Sequence, residues 1–391
     1  MHNIVILGGN FAGVTLAHHL LRDVIPALNS GSSDGKSGYK VTLVSPSDHT
    51  FYKVLAPRAA VSSAKIPLDA SFASIPDGFN KYNGDVFSFV KGEAVGLDED
   101  RKTATAKGED GTEEEVKYDS LVIATGTTSA SPLWTLHGDY KKTRSAFEDL
   151  QRRLQSAKTV LIAGGGPAGV ETAGEIAHEF KEIEVTILSG EKRLLPRLQN
   201  TGVSAKAQSY LKKMGVTTLH SVRVKSKTEL ADGKTELEFD DGSKRTVDVY
   251  LDVTGGRPNT GFLPPSWLNE DKRVAVDPPT LRATKAPAGV YSIGDVASYS
   301  LGGLVDVKWP IQPLGYSIWA DLSSTAAPGG KVLKEKVFKP ETRDMQIVPI
   351  GPSGGVGSVF NWKMPSVMVW MVKSRTFFAE RGPRLAAGGE L

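Results

Sequence analysis

Cysteine is absent from all 391 residues. That excludes a structural disulfide, a thiolate metal site and a Cys-x-x-Cys redox pair. No apolar run approaches the roughly 18 residues that cross a bilayer. A strong charge of either sign is also missing: 47 basic against 44 acidic residues leave +3. So small an excess gives no nucleic-acid footprint, and nucleic acid is not an expected partner. The opening "MHNIVILGG" lacks the basic, apolar and cleavable pattern of a secretory signal. His2 stands where N-myristoylation needs glycine. The expectation is a soluble cytoplasmic protein without a transmembrane segment, with peripheral membrane association left open. What is present, 40% apolar and 23% charged residues, fits a globular chain of two or three domains.

The chain repeats itself. "NIVIL" (3–7) is a short β-branched run that ends in glycines, and "AGVTLAHHLLRD" after it has helical apolar spacing. "KTVLIAG" (158–164) and "AGVETAGEIAHEF" do the same. Each pair reads as strand, tight turn and helix. Each leads into another β-branched strand, "YKVTLVS" (39–45) or "IEVTILS" (183–189), which makes two βαβ units. The echo returns in "EDGTEEEVKYDSLVIATG" (109–126) and "DDGSKRTVDVYLDVTG" (240–255). Each reads as a hairpin about an Asp-Gly turn that leads back into its sheet. "GVYSIGDVASY" (289–299) is one more strand, beyond the second unit.

The fold class that follows is α/β: two Rossmann-like dinucleotide-binding domains, the second inserted in the first, plus a small C-terminal α+β domain. The expected boundaries are 1–130 with 275–330, then 131–274, then 331–391. "NSGSSDGKSG" (29–38) reads as a flexible surface insertion. The tail "PRLAAGGEL" reads as frayed.

A dinucleotide turn sets backbone N–H groups and a helix N-terminus against a pyrophosphate. Its first glycine permits the turn, the middle one admits the phosphate, and the third lets helix and strand pack. In the second turn these are Gly164, Gly166 and Gly169. The first turn, "GGNFAG", has Gly8 and Gly13 around Asn10, with Phe11 and Ala12 between. Asparagine tolerates positive φ better than most residues. The expectation is therefore a glycine-like backbone at Asn10, with its side chain either donating to phosphate or simply tolerating the turn. One such turn is a weak signal; two in matched contexts point to two bound nucleotides. The second strands end in Ser45 and Ser189, where an acid often binds ribose hydroxyls. Lys192 and Arg193 follow Ser189 and suit a 2′-phosphate, unless they are solvated loop charges. Glu191 keeps NADH open. Asp48 is a substitute acid in the first unit.

On these motifs the chain resembles the two-dinucleotide-domain flavoproteins of the pyridine nucleotide-disulfide reductase superfamily. "YSIGDVA", with Gly294 and Asp295, resembles the family's flavin-side Gly-Asp motif. "YDSLVIATG" (Thr125, Gly126) and "LDVTGGRPNTG" (Gly255) resemble its two Thr-Gly segments. Without cysteine the disulfide-reductase branch drops out. What remains is similar to the apoptosis-inducing factor 2 (ferroptosis-suppressor) group in a fungal style, and to type II NADH dehydrogenases. "GGGPAGVETAGEI", "VLAPRA" (54–59) and "GGVGSVFNW…MVWMVKSRTFF" carry that likeness.

The resemblance implies FAD on the first turn, NAD(P)H on the second, and hydride transfer to flavin and then to a quinone-like acceptor. Two rival readings stay open: a flavin oxidoreductase acting on a specific secondary metabolite, and a redox-controlled cell-death signalling protein. Glu171, read as opening the second-turn helix, is the first catalytic candidate; a carboxylate favoured by the helix dipole is the plainer alternative. Lys308, in "VDVKWPIQPLG", is the second, a cation for the reduced flavin ring. Gln312 and Trp309 are expected on the acceptor side, with core packing an equal alternative for Trp309. Lys53 and Arg58, in "HTFYKVLAPRA", are expected beside the flavin. "KMPSVMVWMVKSR" (363–375) reads as third-domain packing, a lid, a homodimer contact or a membrane-facing surface.

Overall fold

The computed structural model describes residues 1–30, 37–323 and 330–389. Residues 31–36, most of the expected surface insertion, lie outside that range.

Strand His2–Leu7 enters the first turn, and helix Phe11–His19 leaves it. Tyr39–Ser45 then pairs parallel to the first strand, Ile4 opposite Val41. Phe87–Lys91 lies outside Tyr39–Ser45. Ser120–Ile123 flanks His2–Leu7 on the other side. Ile4, Val5, Ile6 and Leu7 are all buried, as expected for a parallel strand covered on both faces.

The second parallel sheet repeats this order. Thr159–Ala163 sits between Glu184–Ser189 and Val249–Asp252, and Thr217–His220 lies outside Glu184–Ser189. In each unit, an antiparallel trio comes just before the strand that returns to the sheet. In the first these are Glu93–Asp98, Thr103–Lys107 and Glu113–Lys117. In the second they are Val224–Glu229, Thr235–Phe239 and Lys244–Val247. The Asp-Gly turns thus join two polar strands of a trio, and the apolar strand that follows runs on into the parallel sheet. Leu237, Phe239 and Val247 cover one face of the second sheet.

After the second sheet the chain comes back. Val290–Ser292 pairs parallel to Ser120–Ile123 and completes five strands in the first sheet. The cross-over is laced. Thr127–Thr128 pairs with Arg257–Pro258, and Trp134 Nε1 donates to the Asp252 carbonyl at 2.8 Å.

Met345–Pro349, Gly355–Val359 and Trp362–Met364 form a small antiparallel sheet. It packs on the second-turn helix, Pro167–Glu179, so closely that a Cβ at Gly174 would lie 2.8 Å from the Gly351 nitrogen. The expected frayed tail is instead docked, as far as Gly389. Leu385 and Ala386 are buried. His18 Nε2 meets the Ala386 carbonyl at 2.8 Å, and Lys81 and Arg22 donate to the Ala387 and Gly388 carbonyls. No helix among the described residues is long and apolar enough to cross a membrane.

Candidate functional site

The two turns are built alike. Gly8 has φ +119° and Gly164 φ +134°, a region costly for any residue with a Cβ. A Cβ at Gly8 would lie 2.3 Å from the Ala124 carbonyl oxygen, and one at Gly164 2.6 Å from that of Val253. One turn later, a Cβ at Gly13 would sit 1.8 Å from the Gly8 oxygen, and at Gly169 1.9 Å from the Gly164 oxygen. In both, the strand that returns to the sheet presses on the turn and the helix presses on the strand.

The middle position departs from expectation. Asn10 is extended, with φ −122° and ψ −155°, and not glycine-like. Gly166 is extended too, with φ −77° and ψ −177°. Neither needs glycine for its backbone. A Cβ at Gly166 would meet no protein atom within 4 Å, so glycine there keeps space open in front of the helix N-terminus. The Asn10 side chain is committed elsewhere. Its Nδ2 donates to the Phe51 carbonyl and its Oδ1 accepts from the Phe51 N–H, each at 3.2 Å. Both polar atoms of the amide are engaged, with one Nδ2 hydrogen left over, and the side chain brackets the neighbouring strand, His49–Phe51. Phe11 packs against Tyr52.

The strand-end serines lie beneath the turns. A Cβ at Gly9 or Gly165 would meet the Ser45 or Ser189 Cβ at 2.5 or 2.8 Å. Ser45 Oγ donates to the Ser47 carbonyl and Ser189 Oγ to that of Arg193, both at 2.8 Å. Asp48 is held by His49 and by Lys91, which also grips Asp139. Arg193 turns inward. Its Nη2 donates to the carbonyls of Pro196 and Leu198, which fastens it to its own loop. Lys192 is exposed. Arg223, which the sequence did not single out, reaches Gly190 and Glu191 instead.

The Gly-Asp motif reaches the first turn. Gly294 has φ +83°, and a Cβ on it would lie 3.1 Å from the Ala12 Cβ. Asp295 pairs with Lys53 at 3.0 Å and accepts from Ser300. Burial works against its charge, but Lys53 and Arg273 outweigh burial and hold its carboxyl below the usual range. Two candidates far apart in sequence, Lys53 and Asp295, are thereby brought together. Thr125 and Asn259 exchange hydrogen bonds at 2.8 Å. Beyond Thr125, Gly126 (φ +67°) and Gly255 face open space, as Gly166 does. Thr15 Oγ1, one turn into the first helix, is buried without a partner. The paired cradles and these open faces fit dinucleotide cofactors.

Glu171 does not open its helix; it is the fifth residue of Pro167–Glu179. It is buried, and its partner is Lys373 Nζ at 2.6 Å, which also donates to the Ile347 carbonyl. Burial raises the Glu171 pKa, and Lys373 opposes the rise. Arg58 is likewise turned into the protein. It is buried and bidentate on Glu175 at 2.8 Å, donates to the Ser374 carbonyl, and lies over the Phe377 ring. Lys308 ends the short helix Val305–Lys308 with its side chain exposed. Gln312 is the second residue of helix Ile311–Ser323. Lys373 is therefore the cation that reaches Glu171. Its one sequence signal was a lysine in an otherwise apolar run.

The model of the pyridine nucleotide-disulphide oxidoreductase family matches residues 2–312. The chain is 35% identical to oxidoreductase phnG of Penicillium herquei, over 96% of this chain and 94% of that one. It is 25% identical to ferroptosis suppressor protein 1 of Homo sapiens, over 96% and 93%. Among solved structures, NDH2 from Plasmodium falciparum in complex with NADH has the same fold. The TM-score is 0.67 at 15% identity, over 98% of this chain and 96% of that one.

Proposed function

The chain belongs to the pyridine nucleotide-disulphide oxidoreductase family and is an NAD(P)H-dependent flavoprotein oxidoreductase, and from that premise we propose that it passes electrons to a quinone-like acceptor. FAD and NAD(P)H are its cofactors. We assign FAD to the first turn (Gly8, Asn10, Phe11, Ala12, Gly13), with Ser45, Lys53, Thr125, Gly126, Gly294, Asp295 and Gln312. We assign NAD(P)H to Gly164, Gly166, Gly169 and Gly255. The FAD domain is taken as 1–130 and 275–330, the NAD(P)H domain as 131–274, and the last as 331–391.

FAD, when bound, accepts hydride from NAD(P)H and releases electrons singly or in pairs, which suits a quinone. The residues supply position and charge. Helix N-termini at Phe11 and Pro167 offer backbone donors and a favourable dipole to each pyrophosphate. Lys53 holds Asp295 ionised, an acceptor for sugar-like hydroxyls. Glu171 and Lys373 form a buried pair that stores a proton between Oε1 and Nζ. Lys308 adds a cation on the far side. The observation that carries this reading is the pair of matched glycine cradles within one family.

The test is an anaerobic titration. NADPH or NADH should bleach the flavin absorbance, and a short-chain quinone should restore it. Failure of every quinone to restore it would move the acceptor to a specific metabolite. Glu171→Ala should slow turnover by about 100-fold, and Lys308→Ala by less, with FAD retained in both. Wild-type rates in both variants would remove them from the catalytic assignment.

A further inference from the structure

Resting on the assignment of the second turn to a nicotinamide dinucleotide, we propose that Arg223, lying across Gly190, receives the 2′-phosphate and makes this chain prefer NADPH to NADH. The strand Glu184–Ser189 delivers the chain to the place where a dinucleotide unit meets the adenosine ribose. An acid there would accept the ribose hydroxyls and repel a 2′-phosphate. Ser189 carries no charge, and its hydroxyl is already bonded to the Arg193 carbonyl.

The adjacent position is a glycine, and the reason is visible. A Cβ at Gly190 would meet Arg223 Nε at 2.9 Å, Cγ at 3.1 Å and Cζ at 3.2 Å. The guanidinium fills the space that a side chain of residue 190 would occupy. A cation thus reaches the ribose end from a different segment, while Arg193 is fastened through Nη2 to its own loop.

Arg223 is also poised. Its backbone N–H is fixed by Asp240 at 3.1 Å. Its Nη2 donates to the Gly190 carbonyl at 3.1 Å and pairs with Glu191 at 3.0 Å. Its Nε and Nη1 make no hydrogen bond among the described residues, and each shares an edge of the fork with Nη2, so release of Nη2 from Glu191 opens a two-donor edge to a phosphate. A planar guanidinium grips phosphate with two parallel bonds, which a lysine cannot do. The Glu191 pair is exposed on both sides, and such pairs are weak. Glu191 orients the arginine and yields when a dianion arrives. Lys192, next in the chain, adds positive potential.

The decisive measurement uses the FAD-loaded full chain and two fragments, 2′,5′-ADP and 5′-AMP, titrated by calorimetry. Wild type should bind 2′,5′-ADP at least about tenfold more tightly than 5′-AMP. Arg223→Ala should remove most of that ratio and leave 5′-AMP affinity unchanged. Arg223→Lys should keep part of it, and Glu191→Gln should enlarge it. The ratio of kcat/KM for NADPH over NADH should follow the same order. Equal affinity for the two fragments in wild type overturns the proposal. So does an Arg223→Ala variant that loses both fragments alike, because that marks a merely structural arginine. If neither fragment binds and neither nucleotide bleaches the flavin, the underlying assignment falls as well. If NADH and NADPH both bleach it equally well, only the selectivity falls.

Discussion

The first and second turns share their two outer glycines and part at the middle one, Asn10 against Gly166. The outer positions are fixed by contacts within the protein, since a Cβ on any of them would strike a backbone carbonyl oxygen. The middle position is not fixed by such contacts. At Gly166 it faces open space, and at Asn10 the side chain is drawn aside onto Phe51. The motif therefore joins two different constraints. Packing forbids change at its ends, while its centre is open at Gly166 and anchors a strand at Asn10.

The helices behind the turns differ as well. Counting from the middle position, Glu171 and Glu175 stand where the first helix has Thr15 and His19. The second helix buries two carboxylates, each matched by a cation from far along the chain. Arg58→Met should therefore have the largest effect. It strands Glu175 in a dry site, and breaking a buried pair from one side costs about 3–5 kcal/mol. Chemical denaturation should show this loss. Arg58→Met with Glu175→Leu should recover much of it, because no charge is then left unpaired.

Lys373→Met breaks the neighbouring pair and adds a pH signature. Glu171 has a raised pKa, so the folded chain holds that proton more tightly than the unfolded chain does. Stability from such a group is full below the ordinary carboxylate value of 4.5 and is lost as pH rises through the folded value. Without Lys373 the folded value climbs further. The variant should then melt closer to wild type at pH 5 than at pH 8. A deficit independent of pH would mean that Glu171 is not the group left uncompensated.

The outer glycines come next. Gly13→Ala and Gly169→Ala each force a Cβ to within 2 Å of a carbonyl oxygen, and such overpacking costs about 3 kcal/mol. The two losses should separate by cofactor. Gly13→Ala should release FAD. Gly169→Ala should keep the flavin and lose its reduction by NAD(P)H. Identical phenotypes would erase the division of labour between the turns.

Legibility followed distance along the chain. Both βαβ units, the trio turns and the returning strand could be read because strand, turn and helix are local patterns. The pairs at the site could not. Lys373 meets Glu171 across about 200 residues, Arg58 meets Glu175 across more than 100, and Arg223 meets Gly190 across 33. No local pattern records such encounters. The partners of Arg193 and Arg58 were illegible as well, because a cation near a motif is conspicuous, whereas the carbonyls and carboxylate that it meets are not. The tail misled for the same reason. Glycine and alanine suggest fraying until His18, Lys81 and Arg22 are seen to hold their carbonyls.

The middle position can be tested by exchange. Gly166→Asn puts a side chain into space that Gly166 leaves open. The KM for NAD(P)H should rise about tenfold, equivalent to 1.4 kcal/mol, with FAD content unchanged.

The reciprocal change, Asn10→Gly, should be the mildest. It opens no room that FAD lacks, because the amide already points to Phe51. It removes two hydrogen bonds that fix His49–Phe51, each worth about 1 kcal/mol net, and the freed Phe51 N–H and carbonyl must find other partners. FAD affinity should therefore change little, while thermal stability falls modestly and amide exchange quickens at Phe51. A marked gain in FAD affinity would show instead that Asn10 obstructs its own turn. The two middle residues would then be a better and a worse solution to one problem. A stability loss with affinity intact makes them solutions to two problems, phosphate room at Gly166 and strand anchoring at Asn10.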